Sequence, residues 1–206
     1  LQFLIVSLHD SAVCPIRKAQ GESVQVLSPY NNKGNLSAYA LNMAIRDRVN
    51  PLERGKIVLK RDKDSFRDND RVIILQNDRE RNCSNGDVGI LHILKVEEKR
   101  VTYCVELPDG RCPTWDDASG LAQLSLAYCL TVHKSQGSEY DTILLPIAKG
   151  MDGMLSRNLL YTAISRAKKR VILYGDPQAL DVAVQKNLPQ RKSLLVPKTR
   201  MLLECA

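Results

Sequence analysis

Residues 130–146, LTVHKSQGSEYDTILLP, place a run of polar residue types between two apolar segments. Hydroxyl, imidazole, ammonium, amide and carboxylate side chains follow one another here, and such groups can contact a phosphate or a nucleic-acid backbone. The flanking segments, LSLAYCL and TILLPI, are apolar enough to be buried. Because α/β proteins usually build a ligand site where polar residues follow buried strands, this segment is the first candidate site.

A second candidate is the pair Arg157 and Arg166 in RNLLYTAISRAKKRVIL. If the two residues share one helix, nine positions at about 100° each put them on opposite sides, so they cannot both reach one phosphate. Arg166 lies at the helix end nearest the next strand and outside the apolar stripe, where a guanidinium can project into a cleft. For any single arginine a solvated side chain is the competing interpretation, and the neighbouring motifs weigh against it here.

The elements that position these residues begin with a predicted buried strand, VQVLSP, at residues 24–29. The loop YNNKGN follows, and then a predicted helix with Asn35 as its N-cap. The Asn-Pro pair at residues 50–51 ends this helix. Its apolar residues recur at helical spacing: Leu36, Ala40, Leu41, Ala44 and Ile45.

From about residue 56 to residue 122 the pattern changes to short β-type runs, KIVL, RVIIL, DVGILHILKV and RVTYCVEL. Asn-Gly and Asp-Gly pairs between the runs are turn residues. Several short strands at this spacing predict a small antiparallel barrel, with Trp115 as a residue that caps it.

After residue 124 the α/β pattern returns. DTILLPI predicts a parallel strand, SRNLLYTAISRAKK a helix and RVILYGD another strand, after which Asp176 and Pro177 open a helix as N-cap and first residue. The expected fold class is therefore α/β, with a parallel-sheet domain over residues 1–53 and 123–206. A small antiparallel β-barrel over residues 54–122 interrupts it.

The overall composition excludes few classes of function. A formal charge of +7 favours a polyanionic partner, at about even odds. The six cysteines include no C-x-x-C pair, so we expect reduced thiols and no metal site. The opening LQFLIVSL is too short to span a bilayer, so we expect a cytoplasmic protein without membrane contact, cut from something longer.

Taken together, AYCLTVHKSQGSEYDTI and RNLLYTAISRAKKRVIL resemble motifs V and VI of superfamily 1 DNA helicases. The closest branch is the RecD-like one, which is the exodeoxyribonuclease V alpha-subunit family. VLSPYNNKGNLSAYALN is similar to motif IV of that branch, and NGDVGIL to the signature of its inserted barrel. The resemblance covers roughly residues 24–185. It implies a second RecA-like motor domain with an inserted barrel of the Src-homology-3 type.

The resemblance also implies roles for residues at the nucleotide. Arg166 matches the arginine that reaches the γ-phosphate across the cleft between two RecA-like domains, as an arginine finger. Gln136 and Gly137 match the motif V pair at the edge of the nucleotide. Glu139 matches a residue that contacts the nucleotide sugar. These four positions are the predicted ATP-binding residues, with Arg166 as the catalytic one.

Single-stranded DNA is the second ligand that the resemblance implies. Thr131 and His133 match positions that face it, and Lys134 is assigned with them; a local hydrogen bond is an equally good explanation for Thr131 and His133. Lys33 can reach a phosphate of either ligand, although a mobile surface lysine is the stronger alternative. Asn85 is assigned from its place near a turn of the barrel.

The chain contains neither a G-x-x-x-x-G-K-[ST] loop nor an acidic magnesium ligand after a strand. In the family, both belong to the first RecA-like domain. We therefore expect ATP and Mg²⁺ as cofactors, with the metal ligands on that absent domain, and no ATPase activity by this chain alone. By resemblance the parent is a 5′–3′ helicase of DNA repair or recombination, whose partners are DNA, the first motor domain and other subunits of a repair nuclease complex. The alternative is a non-catalytic module that binds nucleic acid.

Overall fold

The computed structural model of the protein describes residues 23–61, 64–97, 100–151 and 153–186. The expectations for LQFLIVSL at the start of the chain and for residues 187–206 lie outside this part. None of the described helices is long and apolar enough to cross a membrane.

Four parallel strands form the sheet of the first unit, and they come from both sides of the insert. In chain order they are β1 (Val24–Ser28), β9 (Cys129–Thr131), β10 (Tyr140–Ile147) and β11 (Ala167–Gly175). Their spatial order is β11-β10-β1-β9, and every neighbouring pair is parallel. All of β1 and nearly all of β10 are buried, as expected for strands in the centre of a parallel sheet. The predicted α/β class is confirmed.

The first helix, α1 (Ala38–Val49), begins two residues later than Asn35 would require. Its N-cap is Ser37, whose extended backbone lets the hydroxyl accept the N–H of Ala40 at 3.3 Å, so the prediction of Asn35 is wrong. Asn35 instead belongs to a turn closed by a bond from the Ser37 N–H to the Gly34 carbonyl, 3.1 Å. The helix ends at Asn50, before Pro51, as predicted.

The helix predicted over residues 156–169 is shorter in the structure. It is α2 (Arg157–Ile164), and residues 167–169 already belong to β11. The carbonyl of Arg166 accepts the N–H of Tyr140 at 2.8 Å, so pairing with β10 takes over at this point. Arg166 therefore lies between a helix and a strand. The argument that places Arg157 and Arg166 on opposite sides of one helix does not apply, because Arg166 is not helical. The last helix, α3 (Pro177–Gln185), has the predicted Asp176 cap.

The insert is antiparallel, as predicted. Its strands are β2 (Val58–Arg61), β3 (Asp64–Arg67), β4 (Arg71–Ile74), β5 (Val88–Val96), β6 (Val101–Glu106), β7 (Thr114–Trp115) and β8 (Leu124–Leu126). Five of them form a sheet in the order β7-β6-β5-β4-β8, and β2-β3 form a separate two-stranded ribbon. Three short strands, β3, β7 and β8, were not predicted. The fifth strand, β8, lies after residue 122, so the antiparallel sheet extends beyond the predicted boundary. A 3₁₀ helix, Ala118–Gln123, leads into it.

Trp115 closes the core of the insert, in agreement with the prediction. It is 1% exposed, and its ring stacks on that of Tyr103 with centroids 5.6 Å apart and planes 11° from parallel. Such a pair adds to the stability that burial of its area provides. The guanidinium of Arg81 covers the outer side of the indole at 5.8 Å.

A buried polar cluster joins the insert to the parallel-sheet unit. Asp70 is fully buried; its Oδ1 accepts the Asn50 side-chain amide at 2.8 Å and the Tyr128 hydroxyl at 3.0 Å. Its Oδ2 accepts the Arg67 N–H at 2.8 Å. Asn50 ends α1 and Tyr128 precedes β9, while Asp70 and Arg67 belong to the insert. Because buried acceptors are costly to leave without donors, this cluster holds the two units in one relative position.

Candidate nucleotide and DNA site

The guanidinium of Arg166 lies against the segment that joins β9 to β10. Its Nη1 donates to the carbonyl of Ser138 at 3.4 Å, its Nε to the carbonyl of Thr162 at 3.3 Å, and its Nη2 to the hydroxyl of Ser165 at 3.1 Å. The side chain is half-buried, so part of it remains accessible. The predicted neighbourhood of Arg166 and the HKSQGS segment is therefore present in the fold.

Residues 132–139, here called the polar turn, leave the sheet at the carboxyl end of β9. Ser135 organises the turn: it is fully buried, its hydroxyl donates to the Val132 carbonyl at 2.8 Å, and its N–H donates to the Thr131 carbonyl at 3.1 Å. A second turn bond runs from the Ser138 N–H to the Ser135 carbonyl, 3.1 Å. Sequence reasoning assigned no role to Ser135, although a serine that bonds its own backbone is a common way to build a turn.

The three other predicted nucleotide residues are on the outer surface of the polar turn. Gln136, Gly137 and Glu139 are all exposed. The carboxylate of Glu139 lies 3.4 Å from the ammonium of Lys168 on β11, and both side chains remain more than half exposed. An ion pair this exposed is weak, so Glu139 is still accessible to a ligand.

The predicted DNA residues on the polar turn, at the end of β9 and in the loop before α1 differ in accessibility. Thr131 is buried, and its hydroxyl accepts the N–H of Lys134 at 3.2 Å, so the local hydrogen bond considered as the alternative is present. The side chains of His133 and Lys134 are exposed. Lys33, in the loop before α1, is also exposed, and its ammonium lies 5.9 Å from the ring centre of Tyr30. Thr131 and Lys134 line a common cavity at this edge of the sheet.

Asn85 is on the insert, apart from the loop that carries Lys33. It is exposed, and its N–H donates to the side chain of Asn77 at 2.7 Å. The next residue, Gly86, lines a cavity of about 300 Å³ together with Ser138 and Tyr140. The structure thus places this turn of the insert beside Ser138 of the polar turn, the residue whose carbonyl Arg166 contacts.

The donor set at the polar turn suits a nucleotide better than a metal ion. A guanidinium binds phosphate oxygens, and exposed amide and carboxylate groups can bond a sugar. Burial raises the pKa of Tyr140, so this phenol stays neutral at the base of the turn. Within the four described ranges, no three His, Cys, Asp or Glu side chains lie close enough together to hold a metal ion.

Two family models match the chain. A UvrD-like helicase C-terminal domain matches residues 126–174, which include β9, the polar turn, β10, α2 and nearly all of β11. An ATP-dependent RecD-like DNA helicase SH3 domain matches residues 41–106, from α1 to β6. The fold and these matches define a helicase-type α/β domain with an SH3-like insert.

Two curated relatives narrow the class. The chain is 35% identical to the ATP-dependent RecD2 DNA helicase of Deinococcus radiodurans over 178 residues, which is 86% of this chain and 24% of that protein. It is 25% identical to the RecBCD enzyme subunit RecD of Haemophilus influenzae, again over 86% of this chain and 25% of the relative. The chain is a homologue of the RecD-like helicases, which confirms the resemblance predicted from its motifs. It spans about a quarter of the length of these relatives.

Solved structures agree on the fold. The Pif1 helicase from Bacteroides, in complex with ADP-AlF3 and ssDNA, superposes with a TM-score of 0.55 at 16% identity, over 91% of this chain and 46% of that one. The Pif1 helicase from Candida albicans gives a TM-score of 0.51 at 16% identity, over 100% of this chain and 58% of that one. At these identities the likeness concerns the fold alone.

Proposed function

We propose that this chain is the second RecA-like motor domain, with its inserted SH3-like domain, of an ATP-dependent DNA helicase. In this proposal residues 1–53 and 123–206 form the motor domain and residues 54–122 the insert. The relationship to a protein named as an ATP-dependent DNA helicase supports the reaction class. The remaining parts of the motor, including the phosphate-binding loop and the Mg²⁺ ligands, belong to a first RecA-like domain elsewhere in the parent protein.

The observation that carries the proposal is the position of Arg166 beside the polar turn, 3.4 Å from Ser138. A planar guanidinium held there presents a permanent positive charge at the edge of the sheet. Aimed at the γ-phosphate of ATP in the cleft between the two domains, that charge stabilises the negative charge of phosphoryl transfer. Bound Mg²⁺ would neutralise phosphate oxygens in the same cleft.

The other polar side chains complete two binding surfaces. Gln136, Gly137 and Glu139 line the nucleotide edge, where an amide and a carboxylate hold the sugar. His133, Lys134 and Lys33 face single-stranded DNA, and their exposure supports contact with a phosphate backbone. The Thr131 hydroxyl donates a hydrogen bond to the same strand, and the Asn85 side chain contacts the DNA from the insert. By family resemblance, movement is 5′ to 3′ and serves DNA repair or recombination, with DNA and other subunits of a repair nuclease complex as partners.

An ATPase assay tests the proposal. The purified 206-residue chain, with Mg²⁺ and single-stranded DNA, is expected to show no turnover above background, whereas the parent protein is expected to be active. Robust hydrolysis by the chain alone would refute it. A DNA-binding titration at two salt concentrations completes the test, because the helicase proposal expects weak binding by this chain, measurable only at low salt. Tight and strongly salt-dependent binding would instead favour the non-catalytic nucleic-acid module.

A further inference from the structure

A cavity of about 560 Å³ opens between the parallel-sheet unit and the insert. Its walls are the loop after β1, one face of α1, the carboxyl end of β9 and the insert strands β3 and β8. Motif similarity assigned a role to only two of its lining residues, Thr131 and Lys134, although Asn31, Asn32 and Tyr39 lie in the segment that is similar to motif IV. The volume is within the range of small-molecule sites and far above what a single water needs.

The buried residues of the lining, here called the floor of the cavity, include two apolar side chains, one from each unit. Phe66 is 1% exposed and comes from the insert, while Leu130 is 2% exposed and comes from β9. Asn42 also lines the cavity, but its amide donates to the Cys129 carbonyl at 2.8 Å and accepts the Cys129 N–H at 2.8 Å. Because both ends of this amide are occupied, Asn42 fixes the wall, and the rim supplies the groups that are available to a ligand.

The rim combines an aromatic ring, two amides and a cation. Tyr39, at the second residue of α1, is 46% exposed. The exposed side chains of Asn31 and Asn32 make no hydrogen bond to any other residue that the structure describes, so their donors and acceptors are available. Lys134 adds a positive charge, and Asp64 an acceptor of opposite charge.

These groups match the chemistry of one class of ligand. A nucleobase is flat and stacks on an aromatic ring, and its edge carries the donors and acceptors that an amide side chain pairs with. The phosphate of the same nucleotide fits beside Lys134, while the carboxylate of Asp64 would repel a phosphate and accept a base amino group instead. An isolated inorganic anion would use neither Tyr39 nor the apolar floor.

We propose that this cavity holds a single nucleobase, turned out of the stack of a DNA strand that passes over the polar turn. The proposal rests on the function proposed above and adds to it a base subsite built jointly by the motor domain and the insert. Tyr39 stacks on the base, and Asn31 and Asn32 bond its edge. A motor with such a subsite binds the strand in a fixed register, because in each stretch of DNA that it covers one base is turned out into the cavity and its neighbours are not.

The test is a scan with the 206-residue chain at low salt. Single-stranded oligonucleotides that differ only in the position of one abasic site are titrated against the chain. The proposal expects one position, or two adjacent ones, at which loss of the base weakens binding about tenfold, with little effect elsewhere. Tyr39→Ala is expected to weaken binding of the intact strand by a similar factor and to abolish the dependence on position, while Tyr39→Phe retains both.

Tyr161→Ala is the matched control, because Tyr161 is 75% exposed and lies on α2, outside the cavity. It should bind DNA as the unchanged chain does. Circular dichroism and thermal unfolding of each variant check that the fold is retained. We expect it to be, because both tyrosines are exposed and contribute little to the core. If the strand binds but the abasic scan is flat and Tyr39→Ala is neutral, the base subsite is refuted and the helicase proposal stands. If the chain binds no single-stranded DNA even at low salt, both are overturned.

Discussion

The side chain of Arg166 reaches the backbone of Ser138, with Nη1 and the carbonyl oxygen 3.4 Å apart. The backbone of Arg166 is bound to the same segment, because its carbonyl accepts the Tyr140 N–H at 2.8 Å. Arg166 is thus hydrogen-bonded through its side chain to the end of the polar turn and through its backbone to the first residue of β10. Since Ser138 contributes only its carbonyl, the contact does not depend on the serine side chain.

Replacement of Arg166 by alanine in the helicase that carries this chain should reduce kcat about a thousandfold or more, the range of an arginine finger. Arg166→Lys should recover little of the activity, since an ammonium lacks the planar fork. ATPase turnover at saturating DNA measures both. Arg157→Ala is the control: Arg157 is exposed at the start of α2, and its loss should leave kcat almost unchanged. Equal losses in Arg157→Ala and Arg166→Ala would contradict the assignment.

Replacement of Asp70 by alanine should destabilise the chain by about 3 kcal/mol, because it leaves the buried donors of Asn50, Tyr128 and Arg67 without their acceptor. Tyr128→Phe removes one of these donors and should cost about 1 kcal/mol. Urea unfolding measures both values. Asp181→Asn, on the exposed side of α3, should stay within about 0.5 kcal/mol of the unchanged chain. An Asp70→Ala effect no larger than that control would mean that the cluster does not hold the units together.

Gly175→Ala should be strongly destabilising. Gly175 ends β11 with a φ of 143°, and a Cβ there would lie 1.7 Å from the Ile147 carbonyl oxygen, which is backbone and cannot move aside. The matched substitution is Gly150→Ala, where φ is 87° and a Cβ would meet no atom within 4 Å. Thermal unfolding should show a far larger loss for Gly175→Ala than for Gly150→Ala, because only the first adds a steric clash to the backbone strain. Similar losses would argue against the observed end of β11.

Asp141 should contribute to the loss of stability in acid. Hydrogen bonds from the Ser23 backbone N–H, and then the ammonium of Lys169 at 3.1 Å, lower the pKa of this carboxyl. A carboxyl with a lowered pKa in the folded state stabilises the fold above its unfolded-state pKa, about 3.9, and loses that contribution as the pH falls through the folded value.

The free energy of unfolding, measured from pH 7 downwards, should therefore exceed that of Asp141→Asn by a constant amount above about pH 5. The difference should shrink below about pH 4. Asp181→Asn, at an exposed position of α3 where no described residue pairs with the carboxylate, is measured alongside as the control for the loss of a surface charge. A difference in the free energy of unfolding between the unchanged chain and Asp141→Asn that grew on acidification would contradict a lowered pKa for Asp141.

The thiols of Cys104 and Cys112 should form a disulfide under oxidised glutathione. Their sulfur atoms are 2.9 Å apart, Cys112 is exposed, and Cys104 is buried. The Cys112 thiolate attacks glutathione disulfide and releases one glutathione, and the Cys104 thiolate then displaces the second. Burial, and then the Cys112 thiol, raise the pKa of Cys104 to about 12. The second step should therefore be slow at neutral pH and accelerate as the pH rises.

Mass spectrometry detects the product as a loss of two hydrogen atoms. Cys104→Ser should stop the reaction at the glutathione adduct of Cys112, and Cys83→Ser should behave as the unchanged chain does. Accumulation of the glutathione adduct of Cys112 in the unchanged chain, without loss of two hydrogen atoms even at raised pH, would show that the close approach of these two sulfur atoms is not maintained in solution.

The amino-acid order alone was enough to predict three of the four parallel strands, all except β9, together with the antiparallel insert, the Asp176 cap and the residues of the polar turn. Each of these depends on neighbours along the chain, through alternation, periodicity or a side chain that bonds its own backbone. The neighbourhood of Arg166 and the polar turn came from family resemblance, because the two segments are far apart along the chain.

Other features depended on pairing between distant residues. The helix before β11 ends where Tyr140 bonds to Arg166, β8 joins the insert because it pairs with β4, and Asp70 is satisfied by Tyr128, 58 positions away. The cavity beside Tyr39 likewise depends on the tertiary structure, because Phe66 of the insert and Leu130 of β9 line it together. Such contacts carry no local pattern, since any of many polar or apolar residues would serve at each position. Their partners are selected when the whole chain packs and each buried group must find a complement.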